Sequence, residues 1–512
     1  MKPHKIDLAQ DVQSPESQLI EKDRAKIRKL LARKEAVSAN SSELVTGDEN
    51  IDLAWQLAQR DIQSLRRTVK DENEIPVSRF NAGEGWHQAW TRDTSYAADL
   101  GLIFLYPQEI RASLDVSTQG HDDEIVALQD KTLHFKGWPN ITDRIVWALG
   151  AQEWRLAASP LDNPTLLKDY RVVANTLKRA EEEAVFDPKN GLFRGVASFM
   201  ESHSSYPKRF GWPFGRDNSK IGQTKALSTN ALYFHGYRVA ASMASVLGSA
   251  ESQEWSDKSE NLREAVVKNF KSQETGNYNY FIDETGKPDT HFEGLGNLLV
   301  CRTGLEEKDC KGLLNNIPRQ TYGTPCLWPQ YPEWTSWEKA WPLGMVMSPN
   351  FYHNGMMWPF VEGYAGWMAA RNKGADQLLS SLNKLSRLAV HGKTFHEFYH
   401  FGTGRPGGSK AQLWSAAGYT SLVLRGLLGM ETTEDRLNFS PLIPKEFSGT
   451  LKLTCVRYRG AILDILVKGN GSRVQTVKLD GLLQSKPEIP DTLQGQHRLE
   501  ITLSDEASNT QS

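Results

Sequence analysis

Residues 230–270 read NALYFHGYRVAASMASVLGSAESQEWSDKSENLREAVVKNF, two segments with helical spacing of apolar residues joined by a short turn at Gly248. A link this short makes two helices run antiparallel as a hairpin. The same helical period recurs along the chain from about residue 50 to 430, with little strand signal. The predicted helices, about twelve in all, cover residues 50–69, 92–104, 107–118, 141–158, 164–186, 224–247, 250–271, 292–301, 305–316, 354–371, 374–389 and 411–429.

The links between these helices alternate between short ones and long ones rich in Trp, Gly and Pro. Residues 81–90 (NAGEGWHQAW) and 323–355 are long links of this kind. If the helices pair into hairpins around a ring, short links gather on one rim and long links on the other, which then forms a lined pocket. Twelve helices make six hairpins, so we predict a mainly α fold, an (α/α)6 toroid.

After residue 430 the pattern changes to period two, in residues 449–469 (GTLKLTCVRYRGAILDILVKG), 472–481 and 497–503. This alternation predicts a small antiparallel β module. We therefore divide the chain into a polar N-terminal extension (1–48), a catalytic barrel (49–432) and a C-terminal β-sandwich-like module (433–505). Within the extension, residues 19–37 are amphipathic and predict either a surface helix or a partly disordered segment.

Charge and hydropathy exclude several classes of partner. The 60 Lys+Arg residues balance 62 Asp+Glu, which leaves no electrostatic footprint for nucleic acid or an anionic membrane. The start lacks the apolar run of a signal peptide, and no segment approaches the roughly 18 apolar residues of a membrane span. We expect a cytoplasmic protein with an uncharged partner, the alternative being the mature form of a secreted protein.

The four cysteines show neither paired metal spacing nor a disulfide framework, so we expect a reduced protein without metal or cofactor. Fifteen tryptophans are more unusual. They either stack on sugar faces or fill a large helical core.

Residues 86–96 (WHQAWTRDTSY) place Arg92 and Asp93 at the start of a predicted helix, after Trp86 and Trp90. Arg is a permanent donor and Asp a permanent acceptor, so together they can hold two adjacent sugar hydroxyls. The alternative is structural, with Asp93 capping the helix and Arg92 paired with a neighbour.

Two further acids lie in the aromatic-rich link 191–219. Glu201 follows the apolar run ASFM, where partial desolvation would favour the protonated form that a general acid needs. Asp217, in GRDNSKIG, is the other candidate. A solvated loop carboxylate is the alternative for either residue.

Residues 348–360 (SPNFYHNGMMWPF) and 393–408 (KTFHEFYHFGTGRPGG) carry the remaining candidates. The first segment offers Tyr352, His353, Asn354 and Trp358 as sugar-binding groups, although a histidine in an aromatic loop is often structural. In the second segment Glu397 stands between two phenylalanines. A carboxylate in an aromatic wall is costly to bury, so it is expected to have a hydrogen-bond partner or a functional role.

These segments resemble the catalytic domains of inverting six-hairpin glycosidases. The resemblance is greatest to the glucosidase domain of glycogen debranching enzymes and looser to glucoamylases, processing α-glucosidases and mannosylglycerate hydrolases. It implies that the WTRD element binds sugar hydroxyls through Arg92 and Asp93, and that the EFY element supplies Glu397 as the general base. SFMES puts Glu201 at the acid position of debranching enzymes, whereas GRDNS puts Asp217 at that of mannosylglycerate hydrolases.

The resemblance also assigns tryptophans to the sugar pocket, with Trp86, Trp90 and Trp358 stacking on the sugar and Trp414, in AQLWSAAGY, among the binding residues. An inverting glycosidase needs an acid and a base roughly 6.5–9.5 Å apart. We therefore expect an inverting, cofactor-free hydrolase of a terminal, α-linked neutral sugar, similar to an α-glucosidase. The alternatives are an α-mannosidase, an α-rhamnosidase, an epimerase or lyase on the same ring, and a non-catalytic glycan-binding protein.

Overall fold

The computed structural model describes residues 15–32, 41–71, 73–120, 122–128, 142–158, 163–182, 185–201, 203–210, 219–306, 310–332 and 352–504. Each helical segment predicted from the sequence contains a helix. The described helices are α1 (Pro15–Ala32), α2 (Glu49–Ser64), α3 (Thr91–Asp99), α4 (Pro107–Asp115), α5 (Thr142–Ile145), α6 (Trp147–Ala157), α7 (Asn163–Glu182), α8 (Ser219–Gly222), α9 (Leu227–Val246), α10 (Glu251–Phe270), α11 (Gly294–Arg302), α12 (Cys310–Asn315), α13 (Pro359–Arg371), α14 (Ala375–Gly392) and α15 (Leu413–Ser421).

Six of these helices form a closed ring: α3 contacts α6, and α9, α11, α13 and α15 follow in turn until α15 contacts α3 again. Helices α2, α4, α7, α10, α12 and α14 pack outside the ring, each against one or two of its members. Every residue of α3 and of α15 is buried. In α10, by contrast, only one apolar stripe is buried, as expected for an outer helix with a solvated face.

Helices α13 and α15 contact each other through their backbones at two glycines. A Cβ on Gly363 would lie 2.6 Å from the carbonyl oxygen of Gly418, and a Cβ on Gly418 would lie 2.5 Å from that of Pro359. Only glycine fits at such a backbone contact. This contact fixes the spacing of the N-terminal halves of the two helices.

The helical region also contains short strands that the sequence period did not predict. The described strands are β1 (Leu44–Val45), β2 (Arg66–Lys70), β3 (Pro76–Phe80), β4 (Thr118–Gln119), β5 (Val126–Ala127), β6 (Phe186–Asp187), β7 (Leu192–Phe193), β8 (Lys225–Ala226), β9 (Asn279–Ile282), β10 (Pro288–Glu293), β11 (Leu327–Trp328), β12 (Phe398–Tyr399), β13 (Pro406–Gly407), β14 (Glu431–Thr432), β15 (Arg436–Asn438), β16 (Thr450–Tyr458), β17 (Ala461–Lys468), β18 (Arg473–Leu479), β19 (Leu482–Gln484), β20 (Glu488–Pro490) and β21 (Gly495–Ser504). A four-stranded sheet in the order β11-β10-β9-β8 lies among the ring links. Strands of two to six residues are too short for an alternation to be recognised.

The C-terminal module is built on a six-stranded sheet in the order β1-β16-β17-β21-β18-β19. Its pairs are antiparallel, as predicted, except that β17 and β21 run parallel. Strand β1 comes from the segment that we assigned to the N-terminal extension, and Leu44 pairs with Leu453. The module is therefore completed by residues from before the barrel.

The described part of the amphipathic patch in the N-terminal extension lies in a helix, α1, that packs on α2 and α14, while residues 33–37 lie outside the described residues. Its Ile27 is fully buried, and Arg24 Nε donates a hydrogen bond to Asn50 Oδ1 at 2.9 Å. Among the helices of the described ranges, none is long and apolar enough to cross a membrane.

The prediction of four reduced cysteines was wrong for one pair. Cys301 and Cys310 form a disulfide, with their Cα atoms 5.6 Å apart. The chain turns back between α11 and α12, so the last turn of one helix meets the first residue of the next. Spacing alone could not reveal this, because it depends on how sharply the chain reverses. Cys326 and Cys455 are free thiols.

Candidate active site

The predicted site residues gather at the N-terminal ends of the ring helices. Trp90, Trp358 and Gln412 are the residues that immediately precede α3, α13 and α15. Because the ring helices run in the same direction, the links that lead into them meet at one end of the ring. This end collects the four segments that the sequence singled out.

Arg92, in the first turn of α3, pairs with Glu201 from the link before α9. Arg92 Nη2 donates to Glu201 Oε1 at 2.8 Å, and both side chains are at most 8% exposed. The structural alternative for Arg92, an ion pair, is thus present, but its partner is the predicted acid. The predicted sugar-binding residue and the predicted acid are therefore in direct contact.

Asp93 is held on the other side of the same turn. Its Oδ1 accepts a hydrogen bond from Gln412 Nε2 at 2.9 Å, and both side chains are buried. The sequence did not single out Gln412 as a site residue. A polar residue immediately before two large apolar residues at the start of a buried helix is the signal that would have found it.

Glu397 is 2% exposed, and its carboxylate accepts three hydrogen bonds. Tyr352 donates its hydroxyl to Oε1 at 3.0 Å, while Trp86 Nε1 and the backbone N–H of Ser409 donate to Oε2 at 3.2 and 2.8 Å. Burial raises the pKa of Glu397 above its usual value, and these donors, with the positive charge of Arg92, act in the opposite direction. The result is a buried carboxylate with fixed orientation.

Glu397 lies immediately before β12, and the hairpin of β12 and β13 brings Gly408 against its carboxylate. Gly408 has a φ of +70°, and a Cβ there would lie 2.3 Å from Glu397 Oε2. Neither the backbone conformation nor the space admits a larger residue. Gly408 and Ser409 were not recognised from sequence because their role depends on the hairpin folding back on its own first strand.

Tyr352 has a φ of +120°, a conformation that costs a non-glycine residue free energy. Its carbonyl oxygen accepts a hydrogen bond from Trp358 Nε1 at 3.2 Å, which holds the backbone in place. Burial and the carboxylates of Glu397 and Glu201 raise the pKa of the Tyr352 hydroxyl well above its usual value. The hydroxyl therefore keeps its proton and donates a hydrogen bond to Glu397.

Four of the predicted binding residues form the wall behind the site. The side-chain amide of Asn354 makes two hydrogen bonds with the backbone of Tyr331. Its Oδ1 accepts from the N–H at 2.8 Å, and its Nδ2 donates to the carbonyl oxygen at 3.2 Å. Trp414 is buried and stacks on Phe360 with ring centroids 4.5 Å apart. His353 and Trp358 are buried as well, and burial lowers the pKa of His353 well below its usual value. These residues shape and support the pocket more than they face its opening.

Trp86 and Trp90 are partly exposed and lie at the open side of the site. Their ring centroids are 5.1 Å apart, and the guanidinium carbon of Arg92 lies 5.6 Å from the Trp90 ring. The two rings connect the Arg92–Glu201 pair to Glu397. Asp217, the alternative acid, lies outside the described residues.

With this geometry in view, comparison with known families assigns a class. Residues 198–415 match the family model for the mannosylglycerate hydrolase MGH1-like glycoside hydrolase domain. Residues 430–482 match the C-terminal domain of glycosyl hydrolase family 65. Two parts of the chain are therefore similar to domains of glycoside hydrolases. The first matching part contains Glu201, Tyr352 and Glu397, and the two matches are consistent with the predicted resemblance to six-hairpin glycosidases.

Solved structures are similar in fold. A GH78 family rhamnosidase of Bacillus sp. GL1 superposes with a TM-score of 0.59 at 12% identity, covering 91% of this chain and 44% of its own, so the chain spans less than half of that protein. The GH63 mannosylglycerate hydrolase from Thermus thermophilus, solved with glucose bound, gives a TM-score of 0.52 at 17% identity over 72% of this chain and 98% of its own. No curated protein matches the chain in sequence.

Proposed function

We propose that this protein is an inverting glycoside hydrolase that removes a terminal, α-linked neutral sugar, with α-glucosides as the first candidates. We also propose that the six ring helices and their outer partners form an (α/α)6 toroid. The observation that carries the proposal is the buried Glu397 carboxylate, oriented by three donors at the same end of the ring as the Arg92–Glu201 pair.

Glu397 is proposed as the general base. A base must be ionised to take a proton from water, and the donors Trp86, Tyr352 and Ser409 N–H stabilise the ionised carboxylate. Their fixed positions also direct the remaining lone pairs of the carboxylate. The water that it activates would attack the anomeric carbon from the face opposite the leaving group.

Glu201 is proposed as the general acid, with Arg92 as its partner. Both side chains are buried, so a sugar whose hydroxyls accept from Arg92 would also lie against the carboxyl group of Glu201. Asp217 remains the competing candidate for this role.

Arg92 and Asp93 are proposed to bind sugar hydroxyls, with Trp86 and Trp90 stacking on the sugar from the open side. Tyr352 would face the same sugar while orienting the base. The wall of the pocket behind these groups would be held in place by His353, Asn354, Trp358 and Trp414.

An α-mannoside, such as a small-molecule mannoside, is the second candidate substrate. It is favoured by the match of residues 198–415 to the mannosylglycerate hydrolase MGH1-like domain. An α-rhamnoside is supported only by likeness of fold to the rhamnosidase.

A hydrolysis screen tests the proposal directly. The purified protein is offered aryl α- and β-linked glucosides, mannosides and rhamnosides, and proton NMR follows the first anomer released from any that is cleaved. We expect cleavage of α-linked substrates only, with release of the β-anomer. Release of the α-anomer would refute inversion, and sugar binding without any turnover would favour a glycan-binding protein.

A further inference from the structure

A second cavity lies at the opposite end of the ring, where the ring helices finish. It has a volume of about 640 Å³, within the range of small-molecule sites, and is lined by residues of α6, α9, α11 and α13, by the turn after α11, and by residues that follow α15. Four of its lining residues are arginines: Arg238, Arg302, Arg371 and Arg425. None of the candidate active-site residues contributes to it.

Two of the arginines are held rigidly by buried carboxylates. Arg302 pairs with Asp99, at the end of α3, and with Glu153 at 2.9 Å, while Arg425 pairs with the other oxygen of Glu153. Tyr364 donates its hydroxyl to Asp99 as well. The acceptors of these two carboxylates are therefore occupied, and they form a fixed, charge-balanced floor beneath the cavity.

The other two arginines retain donors that face no carboxylate. Arg238 is exposed, donates Nη1 to the carbonyl oxygen of Thr303 at 2.6 Å, and makes no ion pair within the described part of the chain. Arg371 binds Glu431 through Nε at 3.1 Å, and its two Nη groups make no hydrogen bond with a described residue. The three glutamates of the lining, Glu153, Glu306 and Glu431, are each in an ion pair. The unused N–H groups of Arg238 and Arg371 are therefore donors available to a ligand.

The positive charges of Arg302, Arg371 and Arg425 also lie close enough to repel one another. The pKa of Arg371 is lowered by burial and by the charges of Arg302 and Arg425, against the attraction of Glu431. Of the described residues, none binds the Nε2 atom of His235 in the same wall, and burial lowers the pKa of this histidine to about 3, so it is neutral. An anion between the arginines would relieve this repulsion and use their free donors.

We propose that this cavity is a second ligand site for a small molecule bearing a phosphate or carboxylate group. The oxyanion would bind Arg238 and Arg371, above the floor set by Arg302 and Arg425. Planar guanidinium groups with free N–H pairs suit both kinds of oxyanion. This site is separate from the proposed catalytic pocket and does not depend on hydrolytic activity.

Thermal unfolding of the full chain tests the proposal without any substrate. Inorganic phosphate and sodium acetate, one for each oxyanion, are titrated against sodium chloride at equal ionic strength. At least one of the two is expected to raise Tm saturably, by about 1 °C or more, where chloride does not. Arg238→Gln and Arg371→Gln should each weaken this binding at least about tenfold, since each removes one charged donor group.

Two control variants separate this site from others. Arg263→Gln removes an exposed arginine of α10 that is paired with Glu260, and should leave the Tm shift unchanged. Arg92→Gln, at the active-site end, should also leave it unchanged. The proposal would be overturned if neither anion raised Tm. It would also be overturned if the Tm shift persisted undiminished in Arg238→Gln and Arg371→Gln, or if it disappeared in Arg92→Gln.

Discussion

The guanidinium of Arg92 lies 2.8 Å from the carboxylate of Glu201, and both side chains are buried. A residue proposed to bind sugar is therefore in direct contact with a residue proposed to donate a proton. Because a buried charge left without its partner is costly, substitution of either residue also perturbs the other. The roles of the two must be separated by the choice of substrate as well as by mutation.

Glu397→Gln should lower kcat by about 10²- to 10⁴-fold, because an amide cannot accept the proton of the attacking water. Sugar binding, measured by titration calorimetry, should change little, since the side chain keeps its shape. Glu260→Gln, a substitution on the exposed face of α10, is the matched control and should be fully active. Activity of Glu397→Gln within about tenfold of the wild-type protein would exclude Glu397 as the base.

Glu201→Gln and Asp217→Asn, made in parallel, identify the acid. If Glu201 is the acid, Glu201→Gln should slow cleavage of alkyl glycosides by about 10²-fold or more but spare aryl glycosides whose leaving groups need no protonation. Asp217→Asn should then affect both substrates alike. The reverse pattern in kcat/KM would transfer the role to Asp217.

The acid limb of the pH–rate profile should report the environment of Glu397. The base works only when ionised, so kcat/KM falls as pH falls through its pKa, which burial already raises. Trp86→Phe removes a donor that stabilises the ionised form, so the pKa rises further and the limb moves to higher pH. Trp90→Phe, which leaves every described bond to Glu397 intact, should not move it.

Gly408→Ala should displace the base without unfolding the protein. The added Cβ would lie 2.3 Å from Glu397 Oε2, so kcat should fall about 10- to 100-fold. Gly481→Ala is a matched control, because Gly481 also has a positive φ, +82°, but no atom within 4 Å of the added Cβ. Both variants should lose about 1 kcal/mol of stability, and equal activities would show that the contact with Glu397 is unimportant.

Glu293, at the start of α11, should make the protein less stable as pH rises. Burial raises its pKa to about 8 from 4.5, so between these values the folded protein holds a proton that the unfolded chain has lost. Each unit of pH increase within this window should lower the free energy of unfolding by up to about 1.4 kcal/mol. Above pH of about 8 this decrease should stop. The difference in Tm between Glu293→Gln and the wild-type protein should therefore grow from pH 5 to 8, and a constant difference would contradict this.

The sequence predicted long elements better than short ones. Helices such as α9 and α10 repeat the 3.6-residue period over several turns, and both were placed to within three residues. Strands such as β8 and β11 have two residues each and contain no period to detect. The Cys301–Cys310 bond was missed because the reversal between α11 and α12 is a tertiary feature.

A single residue of the site could be predicted only where its side chain differed sharply in polarity from its neighbours in the sequence. Glu397, an acid between Phe395 and Phe398, is conspicuous in the sequence. The pairing of Arg92 with Glu201, 109 residues further along the chain, is not, because it depends on the order of helices around the ring. Gln412 and Gly408 likewise acquire their roles only from neighbours brought in by folding.

Strand β1 joins the helical region, whose sequence has a helical period, to the C-terminal β module, whose sequence alternates with period two. Leu44 and Val45 pair with β16, the backbone N–H of Thr454 donates to the carbonyl oxygen of Glu43, and the barrel helices all follow before β16 is reached. A protein cut after residue 432 would leave these residues without their partner strand, while one starting at residue 49 would expose an edge of the sheet. The change of pattern near residue 430 therefore marks a boundary of architecture, and we expect the cooperative unit of unfolding to extend across it.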